Sequence, residues 1–513
     1  MNATHLLRIE GVNLANFVFD TRDLSTARGG SLMLLDAIPE VIDILKFKVG
    51  RDKVGVLSQG ASSGLFEIET SDPAGVAEAV EKLLANAKWS LATFVVDVLP
   101  VSTPFRDGVE GLLAANRWRQ MQAATLALPR ANSTNADPNK PACGFDGLRP
   151  AINSGSDTHK VRDRYLSDSV WQRREYGRSK KQSFYQKTGI ANLPAFAEDF
   201  AAIATGIKPL DGKLAIFYAD GNSFGGIQAS KCDSPEKQEG FDKYIRRARE
   251  TFLKQFLQQE VMGKPGDWHS GKGTRFETLL WGGDEVMFVM PARLGWRFAT
   301  FFFDQMKDLN LDKAKDENQE SIFNSSVPLT HAAALVFCQH HAPIHRIKHL
   351  AKDQMAEFAK ATDRTRDSLM TVALESFDHL GADYQHAMNQ RYKEAVLPRD
   401  MILVGDGELT TRLREIATHA DKLRNSDSFA RSQLRALVNE MLRHPSGAAA
   451  AIAAFKGKSS KAADGTSYHE PPDYFRNASV EEKVRLHQKL RPLFPTDLTL
   501  WLQLEELWDY ALL

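Results

Sequence analysis

No Cys-x-x-Cys pair occurs anywhere in this chain, and its three cysteines, Cys143, Cys232 and Cys338, stand far apart. That excludes a zinc ribbon and a disulfide framework. No apolar run approaches the roughly 20 residues needed to cross a bilayer, and Met1 to Gly11 holds no apolar core of a secretory signal. A reducing cytoplasm is the expected location, with no membrane partner. Charge of one sign is also missing: Lys plus Arg and Asp plus Glu each number 65. Contact with nucleic acid would therefore need a local basic surface rather than bulk charge. What is present is ordinary for a globular protein, 43% apolar and 25% charged over 513 residues. That length predicts two to four domains.

Two segments stand out. Leu214 to Ala219 is a continuous apolar run ending in Asp220-Gly221-Asn222-Ser223-Phe224-Gly225. Leu279-Leu280-Trp281 and Val286 to Val289 flank Gly282-Gly283-Asp284-Glu285. Apolar runs bounded by turn residues predict central strands, and Gly282-Gly283 predicts a hairpin with Asp284 at its tip. Asp-Gly and Gly-Gly-Asp are each common turn sequences. Their combination, in the order strand, helix, glycine hairpin, strand, is more specific. If the strands are neighbours, Asp220 and Asp284 meet at one sheet edge, where two carboxylates repel unless a cation sits between them. Magnesium takes such oxygen ligands and shares them with phosphates. A glycine turn lets a triphosphate approach backbone N–H groups.

The remainder of the chain is read in order. Leu6 to Phe19 is an expected strand, followed by Ala27-Arg28-Gly29-Gly30-Ser31 and a helix from Leu32 to Leu45. Then come a strand over Val54 to Ser58, a turn at Gly60 to Gly64 and a strand over Leu65 to Ile68. A helix opens at Ser71-Asp72-Pro73, and a last strand spans Ala92 to Leu99. This βαββαβ order is that of a ferredoxin-like unit, whose hairpin offers serine hydroxyls and no carboxylate. Pro104 to Leu128 is an expected helix. Val161 to Lys187 mixes cations (Arg173, Arg174, Arg178, Lys180, Lys181 among them) with Trp171, Tyr176, Phe184 and Tyr185. Such mixing suits phosphate contacts and base stacking. The charge balance favours an interdomain segment with packed aromatics and solvated charges. The helix from Pro235 to Val261 carries a core stripe of Phe241, Ile245, Phe252 and Phe256. His340, His341, His345 and His349 cluster, but as solvated or phosphate-facing groups, because a nucleotide site needs hard oxygen ligands. The C-terminal part is mainly helical, over Glu408 to Arg424, Arg431 to Leu442, Val480 to Leu490 and Thr496 to Leu512.

The two carboxylate segments resemble the palm domain shared by GGDEF-type nucleotide cyclases and the large subunit of type III CRISPR effector complexes. Asp220 to Gly225 looks like the first metal motif of that palm, and Gly282 to Glu285 like its GGDD or GGDE motif. The helix ending in Ala359-Lys360 looks like the one after the last catalytic strand. Two βαββαβ units in one chain favour the CRISPR large subunit, which carries two palms, the first degenerate. The resemblance implies an α+β fold of two ferredoxin-like palm domains, the second with the GGDE hairpin, and a helical C-terminal domain. The expected boundaries are 1–103 for the first palm, 104–210 for a helical and irregular linker, 211–378 for the catalytic palm and 379–513 for the helical domain. No His-Asp dipeptide occurs, so the family's HD nuclease is not expected.

The activity so implied is a nucleotidyltransferase that joins ATP or related nucleotides into a cyclic signal for antiviral defence, read by a downstream cyclic-nucleotide-sensing effector. Magnesium or manganese would be held by Asp220 and Asp284, with Glu285 assisting in catalysis. Gly221, Asn222, Ser223, Phe224, Gly225, Gly282 and Gly283 would present backbone to the nucleotide, and Lys360 would neutralise charge. Lys348 and Lys352 are further cations on the same helix. Guide or target RNA and other CRISPR-type subunits are the expected partners. Three alternatives stay open: a diguanylate cyclase, a non-catalytic RNA-binding scaffold, and a standalone signalling enzyme without guide RNA.

Overall fold

The computed structural model describes residues 2–86, 88–122, 141–152, 159–161, 163–206, 208–374, 383–392, 396–405, 409–424, 431–443 and 497–513. The expected helix at Pro104 to Leu128 falls within these residues only as far as Gln122, and the expected helix at Val480 to Leu490 lies entirely outside them. The chain is a mixed α+β protein.

The N-terminal part holds strands β1 (His5–Val12), β2 (Val54–Gln59), β3 (Ser63–Ile68) and β4 (Thr93–Pro100), with helices α1 (Leu24–Val49) and α2 (Pro73–Leu84) between them. The four strands form an antiparallel sheet in the order β2-β3-β1-β4. Alternation along β1 sorts its residues to two faces. Leu7 and Ile9 join the main core, while Leu6 packs with Leu57, Leu65 and Leu112. Leu112 belongs to α3 (Phe105–Gln122), which covers the second face.

Two local expectations need correction. The opening strand stops at Val12: Asn13 takes a left-handed conformation (φ 57°) and Leu14–Val18 is a short helix. The helix expected from Leu32 begins at Leu24, because Asp23 caps it by accepting the Thr26 N–H at 2.9 Å. Arg28-Gly29-Gly30 is therefore helix interior, not helix entry. The glycines are there because α4 (Asp168–Gln186) crosses at that point. A Cβ at Gly29 would lie 1.6 Å from the Arg173 carbonyl oxygen, and one at Gly177 would lie 2.1 Å from that of Ser25.

Helix α4 contains the basic-aromatic stretch and packs along α1. Its aromatics pack inward: Tyr185 stacks on Phe196 at 3.9 Å, and Phe184 meets Trp281 edge-on at 5.7 Å. Arg178 and Lys180 are exposed, as expected of solvated charges, but other cations depart from that expectation. Arg173 is fully buried and grips Asp20, with Nη2 to Oδ2 at 2.7 Å. Lys181 is buried beside Glu277 at 3.4 Å. Arg174, Arg178 and Lys187 pair with Asp23, Glu175 and Asp36.

The second sheet contains β5 (Lys213–Gly221), β6 (Glu277–Trp281), β7 (Glu285–Pro291), β8 (His331–Gln339), β9 (Ser368–Ala373) and β10 (Leu403–Val404). Its order is β6-β7-β5-β8-β9-β10. The first four strands repeat the order of the N-terminal sheet: second, third, first, fourth. The middle strand, β5, is buried on both faces from Leu214 to Ala219, hence its continuous apolar run. Phe217 on β5 packs against Phe298 and Phe302 of α7 (Ala292–Met306), with ring centroids 5.2 and 4.9 Å apart. The expected stripe on α6 (Pro235–Phe256) is core at Phe241, Ile245, Phe252 and Phe256. From its outer side α6 holds the first sheet, where Asp242 accepts from the Gln59 N–H at 3.0 Å and Arg246 donates to the Gln59 side chain at 2.9 Å. Helices α10 (Leu409–Arg424), α11 (Arg431–Arg443) and α12 (Asp497–Glu506) form the C-terminal part. The Trp296 indole N–H donates to the Leu413 carbonyl at 3.1 Å, tying α7 to α10.

A buried ion cluster also joins the two sheets' surroundings. Arg28 of α1 clamps Glu277 of β6 with both ends of its guanidinium, at 2.8 and 2.5 Å. Burial opposes charge on Glu277, but Arg28 and Lys181 hold its carboxyl below the usual range. Removing one member of a buried charge cluster leaves the others uncompensated, at a cost of about 3–5 kcal/mol. Glu277→Leu strands two cations at once and is expected to lower the free energy of unfolding by that order, read from the denaturant midpoint and slope. A shift below about 1 kcal/mol in equilibrium unfolding would rule out this cluster as a joint of that strength.

Candidate active site

The site lies where β5 and β7 end side by side. In the antiparallel register Asp220 is opposite Glu285, and the Gly221 N–H donates to the Asp284 carbonyl at 3.1 Å. Asp220 and Asp284 therefore meet at one sheet end. The Gly282-Gly283 turn is tight: the Gly282 N–H donates to the Glu285 carbonyl at 2.7 Å, and a Cβ at Gly282 would lie 2.9 Å from that same oxygen.

Burial and then the charge of Asp284 push the Asp220 carboxyl up to about 6, against the opposing pull of Lys360. Burial likewise raises Asp284. Two cations reach in from the helical segment after β8. This segment runs as α8 (Ile344–His349), a π-helical stretch (Leu350–Ala356) and α9 (Glu357–Thr362). Lys360 pairs directly with Asp220, and Lys352 donates to Glu285 at 2.8 Å. Lys348 points elsewhere, 5.8 Å from the Phe19 ring of the N-terminal part.

The residues after Asp220 divide into two roles. The N–H groups of Gly221 and Asn222 are already bonded, the latter to the Thr330 carbonyl at 2.8 Å. The Asn222 side chain is a buried brace, donating to Thr330 Oγ1 and to the Arg366 carbonyl, each at 3.0 Å. Ser223 is left-handed (φ 57°) and starts α5 (Phe224–Lys231). The N–H groups of Phe224, Gly225 and Gly226 form the helix's first turn, which lacks intrahelical acceptors. Gly225 and Gly226 are exposed. The Phe224 side chain is buried, edge-on to His331 at 5.4 Å. Ser223 to Gly225 thus keep the geometry to face an anion, while Gly221 and Asn222 fix the strand end.

Some participants were not named from the sequence. Arg249 on α6 donates to the Gly283 carbonyl at 3.0 Å and stacks on Trp281 at 4.8 Å. Burial lowers it to about 10, still charged at neutral pH. Its signal was a cation inside an apolar stripe, between Ile245 and Phe252. His331, opposite Gly221 on β8, is held neutral by burial and by Lys360, at about 4. The Tyr218 hydroxyl is buried beneath Glu285 and Asp220. The histidine cluster does not form a metal site: His340 faces the Gly212 carbonyl and His349 pairs with Asp353. Among the described residues no three His, Cys, Asp or Glu side chains are grouped to hold an ion. The carboxylate pair is a hard-oxygen set of the kind magnesium completes with phosphate and water.

No family model matches the chain, and no curated protein matches it. Solved structures do. A Csm1-Csm4 cassette in complex with cA4 matches at 13% identity and TM-score 0.54, covering 100% of this chain and 70% of the other. The cassette in complex with cA3 matches at 12% and 0.54, covering 100% and 70%. The complex with AMPPNP matches at 13% and 0.53, covering 98% and 70%. The chain has the fold of the large subunit of type III CRISPR complexes. No helix among the described residues is long and apolar enough to cross a membrane.

A folded-state carboxyl raised above its unfolded value binds its proton more tightly when folded. Its stabilising contribution is complete below the unfolded value and is lost as pH rises through the folded one. Asp220, raised from 3.8 to about 6, should therefore make the metal-free protein less stable as pH climbs from about 4 to 6. Asp220→Asn should flatten that decline by on the order of 1–3 kcal/mol. Unfolding curves with the same pH slope in both proteins would contradict the assigned environment.

Proposed function

We propose that the chain is a magnesium-dependent nucleotidyltransferase that makes a cyclic oligonucleotide from ATP, in prokaryotic antiviral defence. The observation that supports it most is the pairing of Asp220 and Asp284 at one sheet end, with Lys360 and Lys352 set against them. The two similar sheets fit a pair of ferredoxin-like palms, of which only the second carries carboxylates at its hairpin. The structural neighbours are complexes with AMPPNP, ATP, cA3 and cA4, which favours adenine nucleotides over the guanine of a diguanylate cyclase.

Magnesium, or manganese, held by Asp220 and Asp284 would lower the pKa of a ribose hydroxyl and stabilise departing pyrophosphate. The chain's own groups do the rest. Ser223 to Gly225 offer N–H groups to the triphosphate, with Gly282 and Gly283 keeping the other side open. Lys360, paired with Asp220 in the metal-free protein, would be free to turn to phosphate with a metal on that carboxylate, and Lys352 holds Glu285 in place. Arg249 fixes the turn that carries Asp284. Another subunit of a type III complex is the expected protein partner, and a cyclic-nucleotide-sensing effector the expected reader of the product. The scaffold reading gains nothing from Arg173 and Lys181 of helix α4, whose buried charges serve the fold.

Incubation with each nucleoside triphosphate and magnesium, followed by mass spectrometry, tests the reaction. Consumption of ATP with release of pyrophosphate and a cyclic product is expected. Asp220→Ala and Asp284→Ala should each cut turnover by about a thousand-fold or more, several kcal/mol on the scale of metal catalysis. Wild-type rates in either variant would reject the site. As a reading independent of activity, the Tm increment that magnesium adds to that of a non-hydrolysable ATP analogue alone should be present in the wild type and lost in both variants.

A further inference from the structure

Tyr218 carries a hydroxyl that the fold buries and leaves unmet. It lies two residues before Asp220 on β5, so the two side chains share one face of the sheet. In the antiparallel register Met287 is opposite Tyr218, as Glu285 is opposite Asp220. Tyr218 is 0% exposed, and its hydroxyl has no hydrogen-bond partner. Burial and then the charges of Glu285 and Asp220 keep the phenol protonated, and so a donor. The Glu285 carboxylate stands beside it without reaching bonding geometry. We propose that Tyr218 is a positioning residue whose hydroxyl donates to Glu285 when magnesium and nucleotide occupy the site. Tyr218 has this role only if Asp220 and Asp284 hold the metal, as proposed above.

Packing alone asks for no hydroxyl at this position, since a phenylalanine would fill the same space. In the metal-free protein the hydroxyl has given up water with no acceptor in return. Buried polar groups are ordinarily satisfied, so one that is not calls for a partner in another state of the molecule. Of the two acids nearest in charge, Asp220 is paired with Lys360 and is needed for the metal. Glu285 has capacity to spare: its Oε1 accepts from Lys352 at 2.8 Å, and a carboxylate offers about four acceptor sites. Lys352 is a long, flexible tether, with its side chain 35% exposed. Its Nζ lies 6.0 Å from the Tyr218 ring. The phenol is anchored the opposite way, on a strand hydrogen-bonded on both sides, with Met287 and Ala334 as its neighbours. A turn of the Glu285 carboxylate would bring it onto this fixed donor. Two donors from different elements then hold Glu285 in one direction, where a lysine alone would let it swing.

The test uses the full chain and Tyr218→Phe, which removes only the hydroxyl. Without magnesium or nucleotide its Tm should equal or exceed that of the wild type, because an unmet buried group is gone. Calorimetric titration with a non-hydrolysable ATP analogue in magnesium should show binding about three- to ten-fold weaker than in the wild type. In a Glu285→Ala background the same substitution should change that affinity by less than about two-fold, since the acceptor is already missing. A lowered metal-free Tm with unchanged affinity would make Tyr218 a packing residue and overturn the proposal. So would an unchanged affinity at any Tm, or an equal loss in both backgrounds. Wild-type binding without product formation would reject the nucleotidyltransferase reading alone and leave this role standing. Absence of magnesium-dependent binding by the wild type would overturn both.

Discussion

Two carboxylates ending adjacent strands of one sheet impose the central constraint on this protein. Partly desolvated like charges raise each other's cost of ionisation, and the fold answers by bringing lysines from a distant helical segment. Lys360 lies 140 residues from Asp220 in sequence, so β8 and the π-distorted helical segment that follows must be placed before the pair can be tolerated. A π-helical stretch changes the angular position of everything after it. Here it lies between the two α-helical pieces and contains Lys352, while Lys360 follows it.

The same sheet end is braced from behind and from beside. Asn222 ties the residue after Asp220-Gly221 to the chain ahead of β8 and β9. Arg249 ties the Gly-Gly turn to α6, and α6 in turn holds the hairpin of the N-terminal sheet through Asp242 and Arg246. On the far edge, Arg28 and Lys181 fix Glu277 at the root of β6. The hairpin that carries Asp284 is thus held at its base by α1 and α4 and at its tip by α6. The buried cations of the basic helix belong to that frame, which accounts for a basic-aromatic composition in a chain with zero net charge.

Much of this was legible from residues alone. A continuous apolar run marks a strand buried on both faces, and Gly-Gly before Asp marks a tight turn, because both depend on neighbours in sequence. The α6 stripe and the Asp72-Pro73 helix start were readable for the same reason. Misreadings fell where a local pattern served a distant partner. Arg28-Gly29-Gly30 looks like a break ahead of a helix, yet it is helix interior kept bare for α4 to cross at backbone distance. Arg173 and Lys181 look solvated in a polar stretch, yet each has a carboxylate waiting on another element.

The sequence by itself determined the order of strands and helices, the glycine hairpin and the identity of the two carboxylates, since local sterics and hydrophobic period set these. Only the tertiary structure decided which cation meets which acid, which N–H groups near Asp220 are already bonded, and that Arg249 and Asn222 are part of the frame. Charge pairing and hydrogen-bond satisfaction are properties of positions in space. Burial makes an unmet partner costly, and burial exists only once the chain has folded.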